Sequence, residues 1–137
     1  MIVVDASVLV DFLLGRPPAV ETVVRTMRGR EHEALHAPEL IEPETLNALR
    51  RLVAMGAVTT ERAGAAVRDL ATVRLVRYPH APFRERVWEL RNQLTAYDAT
   101  YLALAEALPD ALLVAGDAGL AMRADSSLGP DRVVRAV

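Results

Sequence analysis

Short apolar runs alternate with longer amphipathic segments along this chain, and this alternation restricts the possible folds more than any other feature. The short runs are rich in the β-branched and aliphatic residues that favour strands, whereas the longer segments have helical periodicity. Strands that alternate with helices favour an α/β fold with a mainly parallel sheet. Five runs are predicted as strands: Ile2–Val4, 34–37, 74–78, 111–115 and 132–135.

The sequence marks the ends of several predicted helices. Gly56 closes the segment 39–55, and Pro43 inside it predicts a break or a new helix start. Residues 81–94 are predicted as one helix, followed by an Ala/Leu-rich helix over 96–108. The segment after Asp117 is predicted to be short, at 118–123.

The size and composition of the chain indicate one domain spanning residues 1–137. Its 137 residues are 52% hydrophobic, which is enough to bury a core of its own. The chain has no cysteine, which excludes disulfides and thiolate metal sites. No apolar run reaches the length of a membrane span, and no basic region precedes an apolar core at the N-terminus. We therefore expect a cytoplasmic protein without a membrane segment.

The charged residues exclude several functions that an α/β fold often has. All 16 basic residues are arginine, and the net charge is -2. Receiver domains and haloacid-dehalogenase-type phosphatases depend on a lysine near the phosphoryl group, and this chain has none. The phosphatase pattern also needs Asp-x-Asp, where this chain has Asp5-Ala6-Ser7. Neither a G-x-G-x-x-G nor a G-x-x-x-x-G-K motif occurs, so a dinucleotide site or a P-loop is unsupported.

Two aspartates follow buried strands of the predicted sheet. Asp5 ends the first strand, and Asp117 comes shortly after the run at 111–115. Ligand sites of parallel sheets lie outside the carboxyl ends of the strands, where the strand order reverses. Either residue could instead be the N-cap of the following helix. Two carboxylates that face each other across such a point would bind a hard cation.

Two further acidic residues lie in helical segments. Asp98 follows Thr95 at the spacing of a capping box, in a helix apolar enough to place this carboxylate near a buried surface. A carboxylate there needs a partner, and a metal ion is one candidate. Glu44 and Asn47 are three residues apart and share one helix face, which for an isolated glutamate is more often a solvated face.

The combination of these residues resembles a known family. The blocks VDASVLVD at 4–11, ETLNAL at 44–49, LTAYDATYLALA at 94–105 and GDAGL at 116–120 look like the PIN domain. More narrowly, they resemble the VapC-type toxin ribonucleases of bacterial toxin–antitoxin pairs. The chain departs from the pattern at Ala115, where the family often has Thr or Ser two residues before the last aspartate.

The resemblance implies a three-layer α/β/α domain with a central, mainly parallel five-stranded sheet. It also implies a Mg²⁺- or Mn²⁺-dependent endoribonuclease whose products carry 5′-phosphate and 3′-hydroxyl ends. The metal ligands would come from Asp5, Asp98 and Asp117, and Glu44 would bind a second ion or orient the attacking water. These four carboxylates are the predicted catalytic residues, and Ser7 and Asn47 are predicted to support the pocket.

The resemblance also implies partners. These are an RNA substrate, a second copy of the chain in a homodimer, and a small antitoxin whose C-terminal segment binds in a groove. Apolar residues of the segments 8–13 and 46–53 could line that groove, although most are expected to be core. The alternative is a PIN-like module that binds RNA or a protein without cutting, and metal titration separates the two functions.

Other polar and aromatic residues carry weaker signals. His32, His36 and His80 lack metal-ligand spacing and are predicted to be loop or structural residues. Trp88 is expected to pack in the core or at a dimer contact rather than to stack on a base. Two groups of arginines could guide RNA phosphates, although a solvated helix face is the favoured interpretation of each: Arg25, Arg28 and Arg30, and Arg84, Arg86 and Arg91.

Overall fold

A computed structural model of the chain describes residues 1–136 and contains one five-stranded sheet. Its strand order is β3-β2-β1-β4-β5, and every neighbouring pair is parallel. The predicted parallel sheet is therefore confirmed. The chain moves outward from the central strand β1 to one edge and then crosses back to β4, so the order reverses between β1 and β4. The strands are β1 (Ile2–Val4), β2 (Leu35–Pro38), β3 (Leu75–Tyr78), β4 (Leu112–Ala115) and β5 (Val133–Arg135).

Within residues 1–136, seven α-helices connect the strands and cover both faces of the sheet. Contacts among the helices of the first two connections, and separately among those of the last two, place each group on one face. The result is the expected three-layer α/β/α architecture. The helices are α1 (Ala6–Leu13), α2 (Pro17–Met27), α3 (Ile41–Ala54), α4 (Thr60–Leu70), α5 (Arg84–Glu89), α6 (Ala96–Ala107) and α7 (Ala118–Leu128). None of the helices within residues 1–136 is long and apolar enough to cross a membrane.

The core is continuous from the central strand into α6. All three residues of β1 are buried, as are seven consecutive residues of α6, 99–105. Helix α6 packs on β1, β2 and β4, which explains why it is apolar on nearly all sides. The N-terminus of α6, which carries Asp98, is thereby held against the carboxyl ends of these central strands.

Three predicted helix ends differ from the structure. Helix α3 continues through Pro43, because this proline lies in the first turn, where a missing N–H has no intrahelical partner to lose. The predicted helix 81–94 is instead a 3₁₀ turn, Ala81–Phe83, followed by the short α5, after which the chain turns at the buried Leu90. Helix α7 is longer than predicted, because its buried residues Leu120, Ala121 and Ala124 continue an apolar face.

A polar network joins α5, α6 and α7, the helices on the second face of the sheet. Arg86 on α5 donates from Nε and Nη2 to the Glu106 carboxylate on α6, at 2.8 and 3.0 Å, and Ser127 on α7 also donates to it. Burial alone would raise the pKa of Glu106, but the hydrogen bonds from Arg86 and Ser127 outweigh it and hold that pKa below its usual range. Because Arg86 is held here and by Glu89, it is a structural residue and is removed from the arginines available to RNA.

Candidate active site

Asp5 follows β1, and a hydrogen bond connects it to the residue that follows the neighbouring strand β4. It caps α1, and its Oδ1 accepts hydrogen bonds from the Val8 N–H and the Ser7 hydroxyl, both at 2.8 Å. Its Oδ2 accepts the Gly116 N–H, also at 2.8 Å. The residue is only 4% exposed. Asp5 is therefore both the helix cap that the sequence allowed and a fixed carboxylate at the point where the strand order reverses.

Asp117 lies on the other side of this point, with one residue, Gly116, between it and the end of β4. It caps α7 through Oδ1, which accepts the Leu120 N–H at 2.8 Å, and the residue is exposed. Ala115, at the position where a hydroxyl was expected, is only 1% exposed. The methyl group of Ala115 belongs to the core, and the cap bond orients Asp117 without help from that position.

Asp98 faces the same edge of the sheet from α6. Thr95 caps this helix by accepting the Asp98 backbone N–H at 3.2 Å, so the spacing predicted the cap correctly. The Asp98 side chain is half-buried. Its pKa is raised above the ordinary value first by burial and then by the charges of Asp117 and Asp5.

Glu44 completes the group from the first turn of α3. The His80 ring accepts the Leu40 N–H at 2.9 Å and so fixes the start of this helix. Burial, and then the charges of Asp98 and Asp5, raise the pKa of Glu44 to about 7. The Glu44 Oε1 is buried and has no hydrogen-bond partner within residues 1–136.

The structure thus brings the four predicted carboxylates within electrostatic range of one another. Their oxygens are the donor type that Mg²⁺ and Mn²⁺ prefer, and both the unpartnered Glu44 oxygen and the accumulated negative charge fit a cation. In the part of the chain that is described, no three acidic or histidine side chains lie close enough to hold an ion together. Mg²⁺ often uses only one or two carboxylates and keeps several waters, so the group fits a partly water-mediated site.

The two supporting residues differ in where they lie. Ser7 contacts the group directly through its hydrogen bond to Asp5. Asn47 is exposed, and its Oδ1 accepts from Arg50 Nε at 3.1 Å on the same helix, so the structure places its side chain along α3. Its support of the pocket stays a prediction that this conformation does not favour.

Two residues at the site were missed by sequence reasoning. Gly116 donates to Asp5, and the buried Tyr101 has a hydroxyl without a hydrogen-bond partner within residues 1–136. Tyr101 lies three residues after Asp98, on the same face of α6, and burial and then the charge of Glu44 raise the pKa of its hydroxyl. That spacing was the available signal for Tyr101. The signal for Gly116 was only its position beside Asp117.

Removing the Tyr101 hydroxyl is expected to leave folding stability within about 1 kcal/mol of the wild type, because the buried hydroxyl forms no hydrogen bond that would be lost. Tyr78→Phe is the matched control, since the Tyr78 hydroxyl bonds to His36 Nδ1 at 2.8 Å and its loss is expected to destabilise by about 1 kcal/mol. Urea unfolding of Tyr101→Phe and Tyr78→Phe measures both. A larger loss for Tyr101→Phe than for Tyr78→Phe would contradict the structure.

Among the polar and aromatic residues outside the four carboxylates, two histidines are structural as predicted, but Trp88 is not in the core. His36 and His80 are held by Tyr78 and Leu40, as expected of structural residues. Trp88 does not pack in the core: it is 68% exposed, and the Arg91 guanidinium stacks 4.7 Å from its ring centre. Val87 packs against the core in place of Trp88, which lies on the solvent side of α5.

Both predicted segments contribute to grooves at the surface. The α1 residues Val8, Leu9 and Leu13 are buried in the core, as expected for most of that segment. Residues of α3 line two open grooves, the first of them together with Val10 of α1. One, of about 360 Å³, lies beside Ser7 and includes Leu52 and Met55. The other, of about 310 Å³, lies between α3 and α4.

The fold and its site define an α/β/α domain with four carboxylates at the point where a parallel sheet reverses its strand order. The sequence profile of the family described as PIN domain matches residues 2–125. Three similar proteins are Ribonuclease VapC1 of Mycobacterium tuberculosis, VapC ribonuclease Mb0985 of Mycobacterium bovis and Ribonuclease VapC12 of Mycobacterium tuberculosis. Their identities are 42%, 42% and 35%, over 87%, 84% and 79% of this chain and 87%, 85% and 81% of theirs. The chain belongs to the PIN domain family.

Proposed function

We propose that this protein is a metal-dependent endoribonuclease and the toxin of a toxin–antitoxin pair. One observation carries the proposal: the carboxylates of Asp5, Glu44, Asp98 and Asp117 gather at the carboxyl edge of the sheet, and within residues 1–136 none of them forms an ion pair. Burial and mutual repulsion raise the pKa of Glu44 and Asp98, as a site prepared for a cation requires. Similarity to proteins named VapC ribonucleases supports RNA as the substrate.

The chain's own residues would divide the work of phosphodiester hydrolysis. Mg²⁺ or Mn²⁺, held by Asp5, Asp98 and Asp117 directly or through water, would activate a water molecule and neutralise charge on the phosphoryl oxygens. Three hydrogen bonds hold Asp5 and fix the geometry of the site. The Glu44 Oε1 has no hydrogen-bond partner within residues 1–136, and it would accept a hydrogen bond from the attacking water and orient it.

The nature of the products tests this reaction. Water attacking phosphorus opposite the 3′-oxygen expels that oxygen and leaves a 5′-phosphate and a 3′-hydroxyl, whereas attack by the ribose 2′-hydroxyl expels the 5′-oxygen and leaves a 2′,3′-cyclic phosphate. We expect purified protein to cut structured RNA with Mg²⁺ or Mn²⁺, to stop in chelator, and to give ends that a 5′-phosphate-dependent exonuclease degrades. Cyclic phosphate ends would contradict the proposal.

A second candidate is a PIN-like module that binds RNA or a protein without cutting. It is favoured by the lack of three metal-binding side chains within reach of one ion in the described residues. Titration with Mn²⁺ distinguishes the two functions, because a module that only binds has no need of a divalent ion. Saturable Mn²⁺ binding that Asp98→Asn weakens supports the nuclease, and its absence supports the module.

The proposed toxin would act with two protein partners, a second copy of this chain and a small antitoxin. The grooves along α3 are open and mainly apolar, and the larger one begins beside Ser7 at the carboxylate group. An antitoxin segment in that groove would lie next to the site and would block RNA. The exposed Trp88 is a candidate contact of the homodimer. Light scattering with and without a Trp88→Ser substitution tests that contact.

A further inference from the structure

The atoms that surround Gly116, and not its backbone conformation, require a glycine at this position. Its φ lies outside the left-handed region, so its backbone suits other residues. A Cβ at Gly116 would overlap the Ser7 hydroxyl oxygen, while it would lie 3.4 Å from the Ser7 Cβ and 3.5 Å from Val8 Cγ2. The one severe collision is therefore with the Ser7 Oγ.

The Ser7 Oγ has little freedom to avoid that collision. It donates to Asp5 Oδ1 at 2.8 Å, and turning it away from Gly116 about χ1 would break this bond. The Gly116 N–H holds the other oxygen, Asp5 Oδ2, at 2.8 Å. Gly116 thus acts on both oxygens of Asp5, on one by donating and on the other by leaving room for a donor.

We propose that Gly116 is a positioning residue for Asp5, and that it acts through Ser7 by leaving its hydroxyl room to bind the carboxylate. The inference rests on the proposed function, because Asp5 matters for RNA cleavage only if it belongs to the metal site. Partners that orient a ligating carboxylate change metal affinity or activity by about 10- to 100-fold.

Four proteins test the proposal: the wild type, Ser7→Ala, Gly116→Ala and the double variant. Mn²⁺ alone is the probe, with its dissociation constant taken from the electron paramagnetic resonance of the free ion. Thermal unfolding of the metal-free proteins is the second readout, and the rate of RNA cleavage is the third. Gly64→Ala is the matched control, since a Cβ at Gly64 meets only Arg68 Nη1, at the ordinary distance of 3.6 Å, far along α4.

The expected result is non-additive. Ser7→Ala and Gly116→Ala each weaken Mn²⁺ binding by about 10-fold, because each removes the same hydrogen bond from Asp5. The double variant is also about 10-fold weaker, because no hydroxyl is left to collide with. Gly64→Ala binds Mn²⁺ and cuts RNA like the wild type.

Two results would overturn the proposal. One is a Gly116→Ala protein with wild-type Mn²⁺ affinity, and the other is a double variant weaker by about 100-fold, the product of independent losses. If Gly116→Ala does not fold, the double variant and Ser7→Ala still have to match in affinity and thermal midpoint. Failure of the proposed function is a separate outcome, since the wild type itself would then neither bind Mn²⁺ nor cut RNA.

Discussion

Asp5→Asn is expected to lower the free energy of unfolding by about 2 kcal/mol, besides abolishing RNA cleavage. Both oxygens of Asp5 accept hydrogen bonds, from donors on opposite sides of the carboxylate. An asparagine offers one oxygen and one NH₂, so its NH₂ must face either the Gly116 N–H or the Val8 N–H. Because Asp5 is only 4% exposed, the donor left unpaired has no access to water. Urea unfolding followed by circular dichroism measures the loss.

Asp117→Asn is the matched control for this change. It removes the same charge from the same site, but only one Asp117 oxygen caps α7, and an asparagine caps a helix about as well as an aspartate. Its stability is expected to stay within about 0.5 kcal/mol of the wild type, while its cleavage activity falls. Equal stability of Asp5→Asn and Asp117→Asn would show that the hydrogen bonds around Asp5 do not hold it as described.

Glu44→Gln is expected to stabilise the metal-free protein by about 1.5 kcal/mol at about pH 8, after allowance for solvent screening of this half-buried group. Burial and the charges of Asp98 and Asp5 raise the pKa of Glu44 from 4.5 to about 7. The folded state therefore disfavours the ionised carboxylate. This cost is absent below the unfolded pKa and grows as the pH rises towards the folded pKa. The glutamine side chain of Glu44→Gln does not ionise, so its folded state is free of this cost at every pH.

Chemical unfolding in the presence of chelator, between about pH 4 and 8, tests whether the ionised Glu44 carboxylate destabilises the folded state. The difference in stability between Glu44→Gln and the wild type is expected to be near zero at the acid end and to reach its full size above about pH 7. Glu21→Gln, at an exposed position in the middle of α2, is the control for the substitution itself. A Glu44→Gln protein less stable than the wild type at high pH would contradict the repulsion described here.

The sequence was sufficient for the features that depend on local pattern and on general rules of parallel sheets. All five strands lie where the apolar runs predicted them, within about one residue at each end. Asp5 and Asp117 meet because residues after β1 and β4 lie at the same edge of adjacent strands. The cap at Thr95 also followed from spacing alone. Predicting these features requires no knowledge of which residues far apart in the chain come into contact.

The features that could not be predicted are contacts between residues far apart in the chain. The hydrogen bond between Gly116 and Asp5 joins positions 111 residues apart, and only the folded structure shows that a Cβ at Gly116 would meet Ser7. Helix α5 is shorter than its periodicity indicated, because the turn that buries Leu90 ends it. Trp88 is exposed because its neighbour Val87 packs against the core instead.

If the four carboxylates form one metal-dependent nuclease site, RNA cleavage depends on Asp98, and Asp98→Asn is the variant to measure first. The proteins are purified without antitoxin and compared on the same structured RNA with Mg²⁺, with Mn²⁺ and in chelator. Asp110→Asn is the control, since Asp110 is exposed, lies outside the site and has a positive φ that asparagine tolerates.

We expect the wild type and Asp110→Asn to cut only with metal, and Asp98→Asn to be slower by at least about 100-fold. Cleavage by the wild type at the same rate in chelator would show that the site does not depend on a metal. Cleavage by Asp98→Asn at the rate of Asp110→Asn would show that the reaction does not depend on Asp98.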